Sequence, residues 1–278
     1  MADFHQLPSL RDIASQSDTW RQWNEQAEQR AKEAAAAVLP NLDHLTWKDF
    51  EHVYEPSDDT YLLLDALQYE LEKGSLKDSF CQEGPVNVLE IGCGSGVPTV
   101  FVQQQWCAQQ RQEPQRPRRP PLHSFATDIN PIALQVTRAT AIANQVPESP
   151  NLLELLRCDL ASALLPNMAG IVDIVLFNPP YVPTTDEEVG TSNGIDAAWA
   201  GGVAGRRVVD RAQSQIAQLL RKPTGVAYII TVDDNRPEDL AQQLNKGWGL
   251  QMAPLFRRRA RNEYLSVQKV TWPRTAID

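Results

Sequence analysis

Residues 171–181 read Ile-Val-Asp-Ile-Val-Leu-Phe-Asn-Pro-Pro-Tyr. The first seven are nearly all aliphatic or aromatic, the pattern of a strand buried on both faces in the middle of a parallel sheet. Pro179 and Pro180 cannot donate a ladder hydrogen bond, so the strand stops and Asn178 to Tyr181 stand just past its carboxyl end. Ligands of open α/β sheets bind there. The Asn178 side-chain carbonyl and the Asn178-Pro179 backbone offer two acceptors toward one point. That suits a planar NH2 group, which has two donors, and Tyr181 is placed to stack on its flat face. Taken alone, the same four residues also suit an ordinary loop.

Working outward, Val86 to Ile91 predicts a strand that runs into Gly92-Cys93-Gly94-Ser95-Gly96, with a helix following from Val97 to about Gln110. Strand, glycine turn and helix make the nucleotide-binding half of a doubly wound fold. Gly92 and Gly94 permit tight turning and close backbone approach to a ligand. Leu122 to Thr127 and Leu152 to Arg157 predict the second and third strands, and Gly225 to Val232 the fifth. Helices are expected at 203–220 and 236–246, then a closing antiparallel pair at 250–256 and 263–271. The class is α/β: a seven-stranded, mostly parallel sheet with helices on both faces and an antiparallel C-terminal strand pair.

Three strands end in acids: Glu90, Asp128 and Asp159. In a doubly wound sheet these ends line one crevice, with Asp128 placed to grip ribose hydroxyls. Such a rim repels a pyrophosphate and favours a sulfonium carrying an ammonium group, which points to S-adenosylmethionine. Any one of these acids alone is better explained as a solvated strand end; their coincidence with the glycine turn favours the cofactor.

The chain has 278 residues and a formal net charge of -9, against a nonspecific nucleic-acid binder. No apolar run approaches the ~20 residues that span a bilayer, so no membrane association is expected. The first residues lack a basic start and an apolar core, and early acids disfavour a mitochondrial presequence. Cys81, Cys93, Cys107 and Cys158 form no Cys-x-x-Cys pair, and the four histidines have no ligand spacing. No metal is expected, and the cytoplasm is the expected compartment, with the nucleus second. The division is an N-terminal helical extension, 1–51, and a main domain, 52–278, carrying a Pro/Arg-rich insertion at 109–121 expected to be disordered. Asp18 or Thr19 is expected to cap a helix running to Val38, with Trp20, Trp23, Ala27, Ala31, Ala34 and Val38 as its apolar stripe. Ser57 or Asp58 caps the next, where an aromatic, acids and a hydroxyl crowd one helix start, either as plain capping or as a lid edge over a cationic ligand.

The glycine turn, the acids and the Asn-Pro-Pro-Tyr turn resemble a class I (Rossmann-like) S-adenosylmethionine-dependent methyltransferase. Tyr54-Glu-Pro-Ser-Asp-Asp-Thr-Tyr-Leu-Leu-Leu-Asp-Ala-Leu, Asp128-Ile-Asn-Pro and Gly194-Ile-Asp-Ala-Ala-Trp-Ala-Gly-Gly more narrowly resemble the eukaryotic HemK-like (Mtq-type) glutamine methyltransferases, over about residues 52–271. The resemblance implies methylation of the glutamine side-chain amide in the Gly-Gly-Gln loop of the class I translation termination factor. It also implies a small zinc-binding activator subunit as heterodimer partner. Carried over by motif, Thr60, Glu90, Gly92, Asp128, Asp159, Leu160 and Asn178 contact the cofactor, joined by Gly94 of the same turn. Asn178, Pro179, Pro180 and Tyr181 would hold the glutamine. The N-terminal ~50 residues and the insertion lie outside the family pattern.

Two further expectations concern surfaces. Residues 186–202, with Trp199 as apolar anchor, are expected to cover the substrate rather than serve as an ordinary connection, since a ~17-residue loop without regular structure is usually functional or disordered. The third strand should lie at one sheet edge and is unusually apolar there. Leu152, Leu153, Leu155 and Leu156 are therefore expected to receive the activator by strand addition. The competing expectation is that the N-terminal helix folds over this edge. In function, the alternatives are an adenine-amino DNA or RNA methyltransferase, whose NH2 would be held by the same acceptors, and a non-catalytic scaffold. Arg257-Arg258-Arg259 and Arg261 are the other basic cluster, expected as a solvated edge rather than a phosphate grip.

Overall fold

The computed structural model describes residues 10–74, 76, 84–112, 120–146, 152–184 and 201–273. One sheet is built from β1 (Val86–Ile91), β2 (Leu122–Asp128), β3 (Leu152–Arg157), β4 (Ile174–Phe177), β5 (Val226–Val232), β6 (Gln251–Ala260) and β7 (Glu263–Thr271). Their order is β3-β2-β1-β4-β5-β7-β6. The first five are parallel, and β7 runs antiparallel between β5 and β6. The apolar stretch before Asn178 thus supplies the middle strand, whose residues Ile174–Phe177 are all buried. Its paired register starts at Ile174 rather than Ile171. Just before it the Asp173 backbone still bonds both neighbours (N–H to the Asn87 carbonyl and carbonyl from the Val226 N–H, each 2.9 Å), while its carboxylate accepts from the Asn87 N–H (2.9 Å) and Arg221 (2.6 Å).

Alternation divides the core. Val86 and Val88 of β1 pack with Leu63, Leu67, Phe101 and Trp106 from the helices Asp58–Glu72 and Val97–Gln112. Leu89 and Ile91 face the opposite way, toward Ile216, Leu219, Leu240 and Leu244 from Arg207–Leu219 and Pro237–Trp248. Glu90 shares the face of Val86 and Val88, and that parity decides what its carboxylate meets.

Register aligns the site. Ile91 pairs with both Thr127 and Phe177. The next residue on each strand (Gly92, Asp128 and Asn178) therefore leaves this edge of the sheet at one level.

The N-terminal helix spans Leu10–Glu33, so Asp18 is not its cap and it stops short of Val38. Alanines 34–37 favour a helix intrinsically, but the Ala37 N–H donates to Asp65 at 2.7 Å and Ala34 and Ala37 pack on the core, so tertiary contacts override propensity. This helix crosses the β6 edge. Trp20 joins the core on one face and Ala31 the other, while Arg30 donates to the Leu255 and Pro254 carbonyls at 2.8 and 2.9 Å. The expectation that it folds over β3 is thereby overturned: an edge carrying unpaired carbonyls and a proline bulge is what its arginine satisfies. Among the described residues β3 pairs only with β2, and its outer positions are exposed or half-buried.

Candidate active site

The glycine turn is held by strand β2. Gly92 and Cys93 both donate to the Thr127 carbonyl (2.8 and 3.0 Å), and Gly94 donates to Asp128 Oδ2 at 3.1 Å. Gly96, at φ +77, has no room for a side chain: a Cβ there would lie 2.7 Å from Thr137 Cγ2. At Gly92 and Gly94, with φ +70 and +50, a Cβ would meet nothing within 4 Å. Their backbone therefore fronts open space beside Asp128, a cradle a side chain would fill.

The three strand-end acids meet different environments. Asp128 Oδ1 accepts from the Asn130 N–H at 2.8 Å, and burial raises its carboxyl above the usual range. Glu90, directed by the pleat toward the helix after the turn, accepts on Oε2 from the Thr99 N–H (3.0 Å) and hydroxyl. Burial pushes its carboxyl up to about 8. Asp159 is half-exposed and ion-paired with Arg211. Leu160, in the left-handed region at φ 53, turns its side chain into the core. The three strand-end acids are therefore not equivalent anions: Glu90 is buried against Thr99, Asp128 holds the glycine turn, and Asp159 is paired at the surface.

Asn178 is organised by a residue that sequence reading passed over. Asp59 is 2% exposed in the first turn of the helix Asp58–Glu72. Its Oδ2 accepts from Asn178 Nδ2 at 3.0 Å and from the Tyr181 hydroxyl at 3.1 Å. Its Oδ1 accepts from the Tyr54 hydroxyl at 3.2 Å and the Thr60 N–H at 2.6 Å. A carboxylate only accepts, so it takes the Asn178 NH2 and turns the carbonyl away. That Asn178 Oδ1 is buried and has no hydrogen-bond partner among the described residues. Such an atom is costly to leave unpaired, and it points where a ligand N–H is needed. Burial, reinforced by the Asp59 charge, raises the Tyr54 and Tyr181 phenols far above their ordinary value, so both remain donors at neutral pH. The crowded start of this helix was visible in sequence; that one of its acids reaches 119 positions along the chain was not.

Thr60 stands beside Asp59, its hydroxyl 3.3 Å from Oδ1. Pro179 is buried and Pro180 half-buried. Tyr181 sits beside Asn178 as expected, with its hydroxyl committed to Asp59. Trp199 and most of 186–202 lie outside the described residues, as does most of the 109–121 insertion. The basic cluster is divided: Arg257 is buried against Asp233 (2.6 Å) and Glu28 (3.2 Å) and Arg258 pairs with Asp65 (2.6 Å), while Arg259 and Arg261 are exposed, as expected of a solvated edge.

The arrangement joins a glycine cradle with an adjacent carboxylate to a fixed, unpaired amide acceptor on the neighbouring strand end. Gly92, Gly94, Asp128 and Asn178 thus fit S-adenosylmethionine beside an NH2-bearing group. No protein-family model matches the chain. It is 39% identical over 234 residues to mouse "Methyltransferase HEMK2", covering 84% of this chain and 96% of that protein. Fission yeast "eRF1 methyltransferase catalytic subunit mtq2" is 30% identical, covering 83% and 94%. A solved E. cuniculi Mtq2–Trm112 complex, described as responsible for methylation of the eRF1 translation termination factor, is 28% identical, with TM-score 0.52 over 80% of this chain and 99% of that one. The chain belongs to the HEMK2/Mtq2 family: it is a class I methyltransferase, and its cofactor is S-adenosylmethionine.

Proposed function

We propose that this methyltransferase modifies the side-chain amide nitrogen of the glutamine in the Gly-Gly-Gln loop of the class I translation termination factor. The observation that carries this reading is the Asn178 side chain, whose buried, unpaired Oδ1 is held in place by Asp59. The names of the fission yeast and E. cuniculi relatives support it.

S-adenosylmethionine supplies an electrophilic methyl group on a sulfonium. Gly92, Gly94, Asp159 and Leu160 would hold it, with the Asp128 carboxylate taking the ribose hydroxyls. Glu90 fixes the helix start behind the turn through Thr99. Asn178 Oδ1 and the Pro179 carbonyl accept the two glutamine N–H groups and aim the nitrogen. An amide nitrogen is a poor nucleophile, so these residues contribute positioning and preorganised dipoles rather than proton abstraction. Proton loss follows transfer, once the nitrogen is acidic; Tyr54 and Tyr181, with raised pKa values, are not its base.

The relatives also support an activator subunit of the Trm112 kind, a small zinc-binding protein in our reading, seated on the β3 edge that the N-terminal helix leaves open. Against an adenine-amino activity, Arg257 and Arg258 of the basic cluster are engaged in ion pairs, which leaves Arg259 and Arg261 as its exposed arginines. Transfer of labelled methyl to the purified termination factor and to an adenine-containing duplex, side by side, tests the assignment. Label in the duplex alone refutes it; label in the factor that disappears when its Gly-Gly-Gln glutamine is replaced supports it.

A further inference from the structure

The catalytic turn has an anchoring problem. Two of its residues are prolines with no N–H, so its backbone must be held chiefly through carbonyls. A side chain from the end of β5 meets this need. Asn235, in the 3-10 turn Asp233–Asn235, is fully buried. Its Nδ2 donates to the Tyr181 carbonyl at 2.9 Å and the Ala204 carbonyl at 3.0 Å, while its Oδ1 accepts from the Val232 N–H at 2.8 Å. Both amide hydrogens and the oxygen are used, across three separate segments.

The surroundings show close fit. A Cβ on Gly205, at φ +64, would stand 1.8 Å from the Tyr181 carbonyl oxygen, and one on Gly201 2.5 Å from that of Pro180. Ala204 (φ 54) and Arg236 (φ 49) are both left-handed without being glycine. Such conformations persist where the surroundings over-determine them, and they gather at functional sites. Here they flank the two ends of the Asn235 bridge.

We propose that Asn235 is a positioning residue for methyl transfer, locking the main chain of the Asn178–Tyr181 turn so that the Asn178 and Pro179 acceptors stay aimed at the substrate nitrogen. It touches neither substrate nor cofactor, and it acts through the Tyr181 carbonyl. This inference rests on the transfer reaction proposed above.

The test compares wild type, Asn235→Asp and Asn235→Ser, each measured for cofactor affinity by calorimetry and for kcat and KM toward the termination factor. Asn235→Asp keeps size and the acceptor for Val232 but removes both donors. Misplacement of a reacting group by about 1 Å costs ~100-fold, so kcat should fall by about 10- to 100-fold with cofactor affinity unchanged and KM little altered. A normal kcat in either variant overturns the proposal. Loss of folding or cofactor binding in both also overturns it, because Asn235 is then architectural. A wild type that binds the cofactor but leaves the factor unmodified refutes the transfer reading instead.

Discussion

Asp59→Asn tests the centre of the site, because it exchanges one oxygen for NH2 with almost no change in shape. Asp59 divides its acceptors, Oδ1 serving Thr60 and Tyr54, and Oδ2 serving Asn178 and Tyr181. The Thr60 N–H is buried in a first helical turn, so the remaining oxygen stays with it. The new NH2 then faces Asn178, whose amide flips to offer its own oxygen. Its NH2 is now turned toward the substrate, where donor meets donor. Loss of one preorganised contact of this kind costs about 100- to 1,000-fold in kcat, roughly 3–4 kcal/mol. Cofactor affinity should change little. The same logic makes Asn178→Asp in the Asp59→Asn background a rescue, since the new amide would donate to one carboxylate oxygen and leave the other aimed at substrate. Labelled-methyl transfer under single-turnover conditions reads both effects, and the double variant should be faster than Asp59→Asn alone. Near wild-type turnover of Asp59→Asn would show that Asn178 is oriented by something else.

Asp128→Ala removes the carboxylate beside the glycine cradle and should weaken S-adenosylmethionine binding by about 1.5–3 kcal/mol; calorimetry showing unchanged affinity would displace Asp128 from the cofactor site. Glu90 offers a pH test. Burial lifts its carboxyl from 4.5 to about 8, and between these values the unfolded chain has lost a proton that the folded chain keeps. Wild-type stability is therefore lost as pH rises through this window. Glu90→Gln, neutral throughout, should melt progressively above wild type from pH 4.5 toward 8, and parallel melting profiles would contradict the burial argument. On the outer strand, replacing Leu153 and Leu155 together by Lys should abolish co-purification of the activator while cofactor binding survives; stoichiometric recovery of the partner would move its seat off β3.

The sequence by itself determined the class of fold, the carboxyl ends of the strands near the site and the make-up of the Asn178–Tyr181 turn. These follow from local signals: an apolar run closed by two prolines at Asn178–Tyr181, a glycine turn after β1 and acids at strand ends. They need no knowledge of what lies opposite. Tertiary structure decided the rest. Pleat parity turned Glu90 onto Thr99, register set Gly92, Asp128 and Asn178 level, and the alanine stretch after Glu33 yielded helix to a bond with Asp65. The N-terminal helix went to β6, where Arg30 satisfies edge carbonyls, and not to β3. Asp59 and Asn235 act on the turn from 119 and 54 residues away. Hydrogen bonds between such distant residues leave no periodicity or spacing in the chain, because the sheet brings the partners together only after it has formed.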